Sequence, residues 1–267
     1  MSQQTNWVPT SVDLEKPSGA RVYDYLLGGN HNFGVDREFS EKVLTVQPHL
    51  RRAALMNRSF LRRAVIHMMD NGIRQFLDLG SGIPTVGNVH EIAHAADPSS
   101  RVVYVDNEHV AVAHSQLILE GNDNAAMLHA DISKAGIVLG DPTTRRLIDF
   151  DQPVGLLAIT IGHYIVEDAL AVFDAYREAL APGSFLAITH LTDDFNETDG
   201  EELAEFMKKS QNNVTPRTKD EVTALFGDFE LVEPGVVTTS QWRPERDTDV
   251  SGTPGEDVVW AGVARKN

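Results

Sequence analysis

The 267-residue sequence predicts a doubly wound α/β fold: a seven-stranded, mostly parallel sheet covered by helices, with a C-terminal antiparallel hairpin and an N-terminal helical cap. Three observations carry this expectation. Five short, nearly continuous apolar segments between positions 74 and 191 alternate with stretches of helical spacing, as in buried parallel strands joined by crossover helices. The first segment runs into a glycine turn, Phe76-Leu77-Asp78-Leu79-Gly80-Ser81-Gly82-Ile83-Pro84-Thr85. The last two apolar segments have no helical pattern between them, so they pair as antiparallel neighbours.

In chain order, residues 1–16 show no periodicity and read as a poorly ordered tail. The remainder, 17–267, reads as a single domain, with the helical cap over 17–72 and the sheet-bearing core over 73–267. Ser18 is placed to cap a short helix carrying Val22, Tyr25 and Leu26 and ended by Gly28-Gly29. The loop Asn30-His31-Asn32-Phe33-Gly34 is polar and aromatic together, which suits either a lid or a surface corner. A second helix is expected from Asp36 to about Val46. From Leu50 to Met69 an amphipathic helix has Leu50, Ala53, Leu61, Ala64 and Met68 on one face, with Asn57 near its centre. A buried amide there needs polar partners. Arg51, Arg52, Arg58, Arg62 and Arg63 fall mostly off that face and read as solvated surface.

The expected parallel strands are Arg74–Gly80, Arg101–Asn107, Ala125–Ile132, Pro153–Thr160 and Ser184–Leu191. After the first, Val89, Ile92, Ala93 and Ala96 have helical spacing, and Pro84 suits the opening turn of that helix. Its free N–H groups would then face a ligand. Further helices are expected over Val110–Leu119 and Ala169–Leu180, the latter closed by Ala181-Pro182-Gly183. A helix around Glu201–Ser210 follows, then Thr218-Lys219-Asp220-Glu221, a capping box opening a helix through Phe226. Phe229–Val237 and Val258–Lys266 complete the hairpin.

Composition narrows the function. There are no cysteines, which removes disulfides, thiolate metal sites and cysteine nucleophiles and suits a reducing cytosol. No leader and no apolar run of about 18 residues is apparent, so a cytoplasmic protein without a membrane partner is expected. The net charge is −16, unevenly placed: residues 1–80 carry +2 and the remainder −18. Nucleic acid is disfavoured as a partner by that acidity, and a small molecule is expected. No metal site is expected.

In an open parallel sheet, ligands bind at the carboxyl ends of the strands beside the switch point. The residues expected there are Asp78, Gly80, Ser81 and Gly82, then Asp106-Asn107, Asp131-Ile132, the stretch from Thr160 to His163, and His190. Asp106 follows the glycines at the spacing of a ribose-binding carboxylate, which implies an adenosine ligand. A nicotinamide dinucleotide and S-adenosylmethionine are the two readings. Asp78 beside the turn would repel a pyrophosphate and attract the amino group of a methionine moiety. Thr85 stands where the dinucleotide fingerprint has its third glycine. Asp131 offers a carboxylate to the adenine amino group, and Ile132 an apolar contact to its ring.

The pattern Asp78-x-Gly80-x-Gly82, with Asp106 and Asp131 on the next strand ends and a final hairpin, resembles the class I S-adenosylmethionine-dependent methyltransferases. A narrower resemblance rests on Ala20-Arg21-Val22-Tyr23-Asp24-Tyr25-Leu26-Leu27-Gly28-Gly29, Asn57-Arg58-Ser59-Phe60-Leu61, Gln75-Phe76-Leu77-Asp78, Pro84-Thr85, Val89-His90-Glu91 and Trp242-Arg243-Pro244. These are similar to a bacterial methyltransferase family long catalogued as a domain of unknown function. The resemblance implies a Rossmann-like core and S-adenosyl-L-methionine as cofactor, and leaves the methyl acceptor open.

On that reading Gly80, Ser81 and Gly82 line the methionine portion, Asp106 binds the ribose hydroxyls, and Asp131 and Ile132 the adenine. Arg21, Asp78, Thr85, Asn107 and Thr160 are further cofactor-binding residues. The segment from Arg21 to Asn32 closes over the site with Tyr25 facing the cofactor. His163 is placed to act as general base toward a small-molecule acceptor O or N, with His190 as second choice. Two alternatives stand beside this: a sensor that binds the cofactor without catalysis, and a NAD(P)-dependent oxidoreductase, for which no tyrosine-lysine pair is found.

Overall fold

The computed structural model describes residues 12–85, 87–192, 194–195, 213–245 and 258–267. Helices α1 (Gly19–Leu26), α2 (Gly34–Val46) and α3 (Leu50–Asp70) precede the sheet. Then come β1 (Gln75–Leu79), α4 (Val89–Ala96), β2 (Arg101–Asp106), α5 (His109–Ile118) and β3 (Ala125–His129). Two short helices, α6 (Ala135–Gly140) and α7 (Pro142–Leu147), lead to β4 (Gly155–Ile159), α8 (Ala169–Ala179) and β5 (Phe185–Leu191). The described chain ends with α9 (Lys219–Ala224), β6 (Glu230–Leu231), β7 (Val237–Thr238) and β8 (Val259–Arg265). The helix expected around Glu201–Ser210 lies outside the described residues.

The sheet order is β3-β2-β1-β4-β5-β8-β6, with β7 also paired to β8. Strands β1 to β5 are parallel, and β8 runs antiparallel to β5, β6 and β7. The expected doubly wound sheet with a C-terminal antiparallel hairpin is therefore present. Its sixth strand is broken in two, because Pro234 has no amide to pair and Gly235, at φ 82°, turns the chain so that its N–H donates to Val232 O (2.9 Å). That break makes eight strands of the expected seven.

Successive strand residues go to opposite, equally apolar faces, which is why the segments read as continuous runs. Leu77, Val103, Leu156 and Leu186 belong to the core under α6 to α9. Phe76, Val102, Leu157 and Phe185 belong to the core under α3 and α4. A third apolar cluster joins Val22 and Leu26 of α1, Phe39 and Val43 of α2 and Ala54 of α3. Helix α3 thus serves two cores, packing Phe60, Leu61, Ala64 and Met68 on the sheet and Ala54 under the cap.

Three expectations are corrected. Helix α4 opens at Val89, not near Pro84, because the Glu91 carboxylate accepts from Gly87 N and Asn88 N (both 2.8 Å) and fixes the start there. Helices α6 and α7 were not anticipated, although Asp141-Pro142 is an N-cap followed by proline, and the Asp141 side chain accepts from Thr143 N (2.7 Å). The arginines of α3 are not all solvated. Arg63 is buried, donating to Trp242 O (2.9 Å) and Thr239 O (2.6 Å), so it ties α3 to the chain after β7.

Candidate functional site

A cavity of about 860 Å³ opens at the C-terminal ends of β1 to β4, where the strand order reverses, and is roofed by α1 and α3. Its floor is the glycine turn. Gly80 and Gly82 both sit at φ 67°, a conformation that L side chains resist. A Cβ on Gly80 would lie 2.2 Å from Ile161 Cγ1, whereas one on Gly82 would meet open space. The turn is braced by β2: Gly80 N and Ser81 N donate to Val105 O (2.7 and 3.1 Å), and Gly82 N to Asp106 Oδ2 (2.7 Å). The other oxygen of Asp106 accepts from Glu108 N (2.8 Å).

The turn therefore has no run of free amides to offer a phosphate. Beside it stand two buried carboxylates. Burial raises Asp78 to a pKa of about 7, with Arg58 opposing and Asp106 adding to the rise. Burial also raises Asp106, against three backbone hydrogen bonds that favour its charge. The Ser81 hydroxyl is buried without a hydrogen-bond partner. A desolvated carboxylate, an unpaired hydroxyl and the open space above Gly82 fit a cationic amino acid end.

Of the residues expected at the site, Asp78, Gly80, Ser81, Gly82, Asp106, Asn107, Asp131, Ile132, Thr160 and His163 all line this cavity. Asp131 Oδ1 accepts from Ser133 N (2.9 Å), and Tyr176 Oη donates to Ile132 O (2.8 Å), which fixes the loop after β3. Thr160 has φ 51°, a strained conformation for a β-branched residue. It is held by Thr160 N donating to Thr189 Oγ1 (2.8 Å) and by Asn57 Nδ2 donating to Thr160 Oγ1 (3.3 Å). His163 is buried, its Nδ1 has no partner, and burial followed by His190 and Arg217 pushes its pKa well below 6.5.

Four residues are placed otherwise. Tyr25 is outside the cavity: its hydroxyl donates to Glu41 Oε1 (2.5 Å), and Arg51 stacks on its ring. Thr85 is outside it too, its N–H donating to Asn88 Oδ1 (3.1 Å). His190 lies behind the wall, where Nδ1 donates to Leu191 O (2.7 Å) and Nε2 accepts from Arg217 Nη1 (2.8 Å). Arg21 lines the cavity but is fully buried and bonded to Asp36 (2.8 Å) and Glu108 (3.2 Å) and to the carbonyls of Asp13 and Lys16. It anchors residues 13–16, α1, α2 and the end of β2 to one another.

Arg21→Met should cost roughly 3–5 kcal/mol of stability, because buried Asp36 loses its cation. Urea unfolding measures this, and an unchanged midpoint would refute the anchoring role.

Sequence reasoning missed Tyr23 and Tyr164 as cavity residues. Tyr23 Oη accepts from Asn57 Nδ2 (2.8 Å) and donates to Ala54 O (3.2 Å). A signal existed for Tyr23, since Gly19, Val22, Tyr23 and Leu26 share one helical face that excludes Tyr25. For Tyr164 there was none.

A parallel sheet with an acidic, glycine-turned floor at its switch point defines the class I type of methyl-donor fold. The family model described as S-adenosyl methyltransferase matches residues 5–267, and the chain belongs to that family. S-adenosylmethionine is its cofactor, and it is a methyltransferase. Crystal structures of two similar proteins superpose over nearly the whole chain. One, from Thermobifida fusca YX and described as a candidate methyltransferase, is 41% identical, with a TM-score of 0.92 over 98% of this chain and 100% of that one. The other, a DUF574 family protein from Streptomyces avermitilis MA-4680, is 34% identical, with a TM-score of 0.92 over 96% and 99%. The plantazolicin methyltransferase BpumL, solved with S-adenosylhomocysteine, shares the fold at 11% identity and a TM-score of 0.50, over 93% of this chain and 95% of its own. No curated protein matches the chain.

Proposed function

We propose that the chain moves a methyl group from S-adenosylmethionine to an oxygen or nitrogen of a small molecule, in the cytosol, within the cavity described above. One observation carries this over the dinucleotide reading. All three amides of the glycine turn are spent on Val105 and Asp106, while a desolvated Asp78 stands beside it. That arrangement repels a pyrophosphate and attracts a cation.

When bound, the cofactor would supply an electrophilic methyl on a cationic sulfur to the acceptor's lone pair, with the neutral thioether, S-adenosylhomocysteine, as leaving group. Asp78 would hold the amino group of the methionine end, with the Ser81 hydroxyl near it. Asp106 would bind the ribose hydroxyls through the remaining lone pairs of its oxygens, and Asp131 and Ile132 the adenine. Burial, His190 and Arg217 hold His163 in its neutral form, so its imidazole would accept a hydrogen bond from the acceptor hydroxyl or amine and draw off its proton in the transition state, against surroundings that disfavour a lasting imidazolium. Most of the acceleration would come from orientation and water exclusion.

The test is a screen for S-adenosylhomocysteine release over a panel of small metabolites. Turnover on any of them is the expected result, and binding of the donor with no turnover on the panel would favour the sensor reading. With a working acceptor, His163→Gln should lower kcat by roughly a hundredfold or more with donor affinity unchanged. Full activity in that variant would remove the base role. The acid limb of the wild-type rate profile should lie below the ordinary imidazole value of 6.5.

A further inference from the structure

We infer that the methyl acceptor is an uncharged molecule with an apolar, ring-sized body and a hydroxyl at its reacting end; this rests on the methyltransferase reading of the same cavity. The lining of the cavity divides into a donor lobe and an apolar lobe by the character of its residues. Under the ends of β1 to β3 its wall is acidic, with Asp78, Asp106 and Asp131. Against the cap its wall is Leu26, Val43, Leu50, Ala54, Tyr164 and Leu191, which all belong to one contiguous cluster of packed apolar side chains. A volume of about 860 Å³ is near the top of the ~300–1,000 Å³ range of ligand pockets, enough for a donor and a second compact molecule.

The other charged residues of the lining are paired or exposed to solvent. Arg21 is bonded to Asp36 and Glu108, and Arg58 donates to Gly87 O (2.8 Å) in the loop after β1. Asp13 and Glu167 are exposed to solvent. At the seam between the lobes the polar groups are neutral: Asn57 Nδ2 bridges Tyr23 Oη (2.8 Å) and Thr160 Oγ1 (3.3 Å), and the His163 ring lies 4.4 Å from that of Tyr164. A charged acceptor entering here would lose its hydration and gain no buried counter-ion among the described residues of the apolar lobe. A hydroxyl needs only an acceptor for its proton, which the His163 imidazole supplies. An ammonium would first have to be deprotonated, and the buried carboxylates that could stabilise it, Asp78 and Asp106, lie in the donor lobe.

The test uses protein saturated with S-adenosylhomocysteine, titrated in a calorimeter with para-propylphenol, tyramine and para-hydroxyphenylpropionate. These share a ring and a hydroxyl and differ in carrying a neutral, cationic or anionic tail. The neutral phenol should bind at least about tenfold tighter than either charged compound. Val43→Thr, nearly isosteric, should weaken the phenol several-fold and leave S-adenosylhomocysteine affinity unchanged. Equal or tighter binding of a charged compound, or no binding of any of the three to the loaded protein, would overturn the inference. Failure to bind S-adenosylhomocysteine would instead overturn the donor-site assignment, and this inference with it.

Discussion

Replacing Asp78 with asparagine is expected to weaken S-adenosylmethionine binding about a hundredfold, ~2.7 kcal/mol, and at the same time to raise the melting temperature of the ligand-free protein. Both effects come from one property: the carboxylate is buried, and its pKa is about 7 in the fold against 3.8 outside it. Between those values the folded chain holds a proton that the unfolded chain has lost. Stability therefore falls as pH rises from about 4 to about 7 and is level above that, by a few kcal/mol in all at order of magnitude. Asparagine carries no such penalty, so its advantage in melting temperature should grow across that window and stay constant beyond it. Thermal melts of both proteins across that pH range measure it.

The ligand side has the opposite sign. A cationic amino group favours the ionised carboxylate, so donor binding should release a proton below about pH 7 and tighten as pH rises toward that value. Calorimetry in buffers of different ionisation heat reads the proton directly. If the variant gains no stability and keeps its affinity, Asp78 is not the desolvated anchor described above.

The second large effect separates the two glycines of the turn. Gly80→Ala should destabilise the fold by roughly 3 kcal/mol, combining the left-handed conformation with overpacking. The added methyl would lie 2.2 Å from Ile161 Cγ1, at φ 67°. Removing that side chain in the double variant Gly80→Ala, Ile161→Ala should recover the steric part and leave the backbone part, a coupling that a double-mutant cycle isolates. Gly82→Ala has the same φ but open space in front of it, so it should cost only about 1–2 kcal/mol of stability. Its methyl would occupy the ground where the ligand approaches the backbone, so donor affinity should fall at least about tenfold. Chemical denaturation and donor titration on the two variants distinguish the roles; equal stability losses would contradict them.

Much of the fold was legible because parallel strands buried on both faces leave unbroken apolar runs, and the runs around Leu77, Val103 and Leu156 are of that kind. The acidic strand ends were legible for a related reason. Asp78 is the penultimate residue of β1, Asp106 the last of β2 and Asp131 two past β3, and in this topology a strand end is a position in the crevice. What the sequence could not convey was competition for the same groups. The sequence offers a ligand the N–H groups of a helix opening at Pro84, yet that helix opens only at Val89, and β2 takes the amides of Gly80, Ser81 and Gly82. Arg21 looked like a ligand contact, yet Asp36, fifteen residues away in sequence, and Glu108, eighty-seven away, consume it. Long-range pairing of that kind has no local signature. Other misses were local and avoidable: Tyr25 in place of Tyr23 ignores the helical face, and Pro234-Gly235 sits in plain view inside the expected strand.

The claim on which the rest depends is that the cavity at the switch point takes the methyl donor rather than a dinucleotide. Calorimetric titration of the purified protein with S-adenosylmethionine, and separately with NAD, tests it most directly. The expected result is saturable one-to-one binding of S-adenosylmethionine that is weakened in Asp106→Ala, with no heat from NAD. Saturable NAD binding with no response to S-adenosylmethionine would contradict the account.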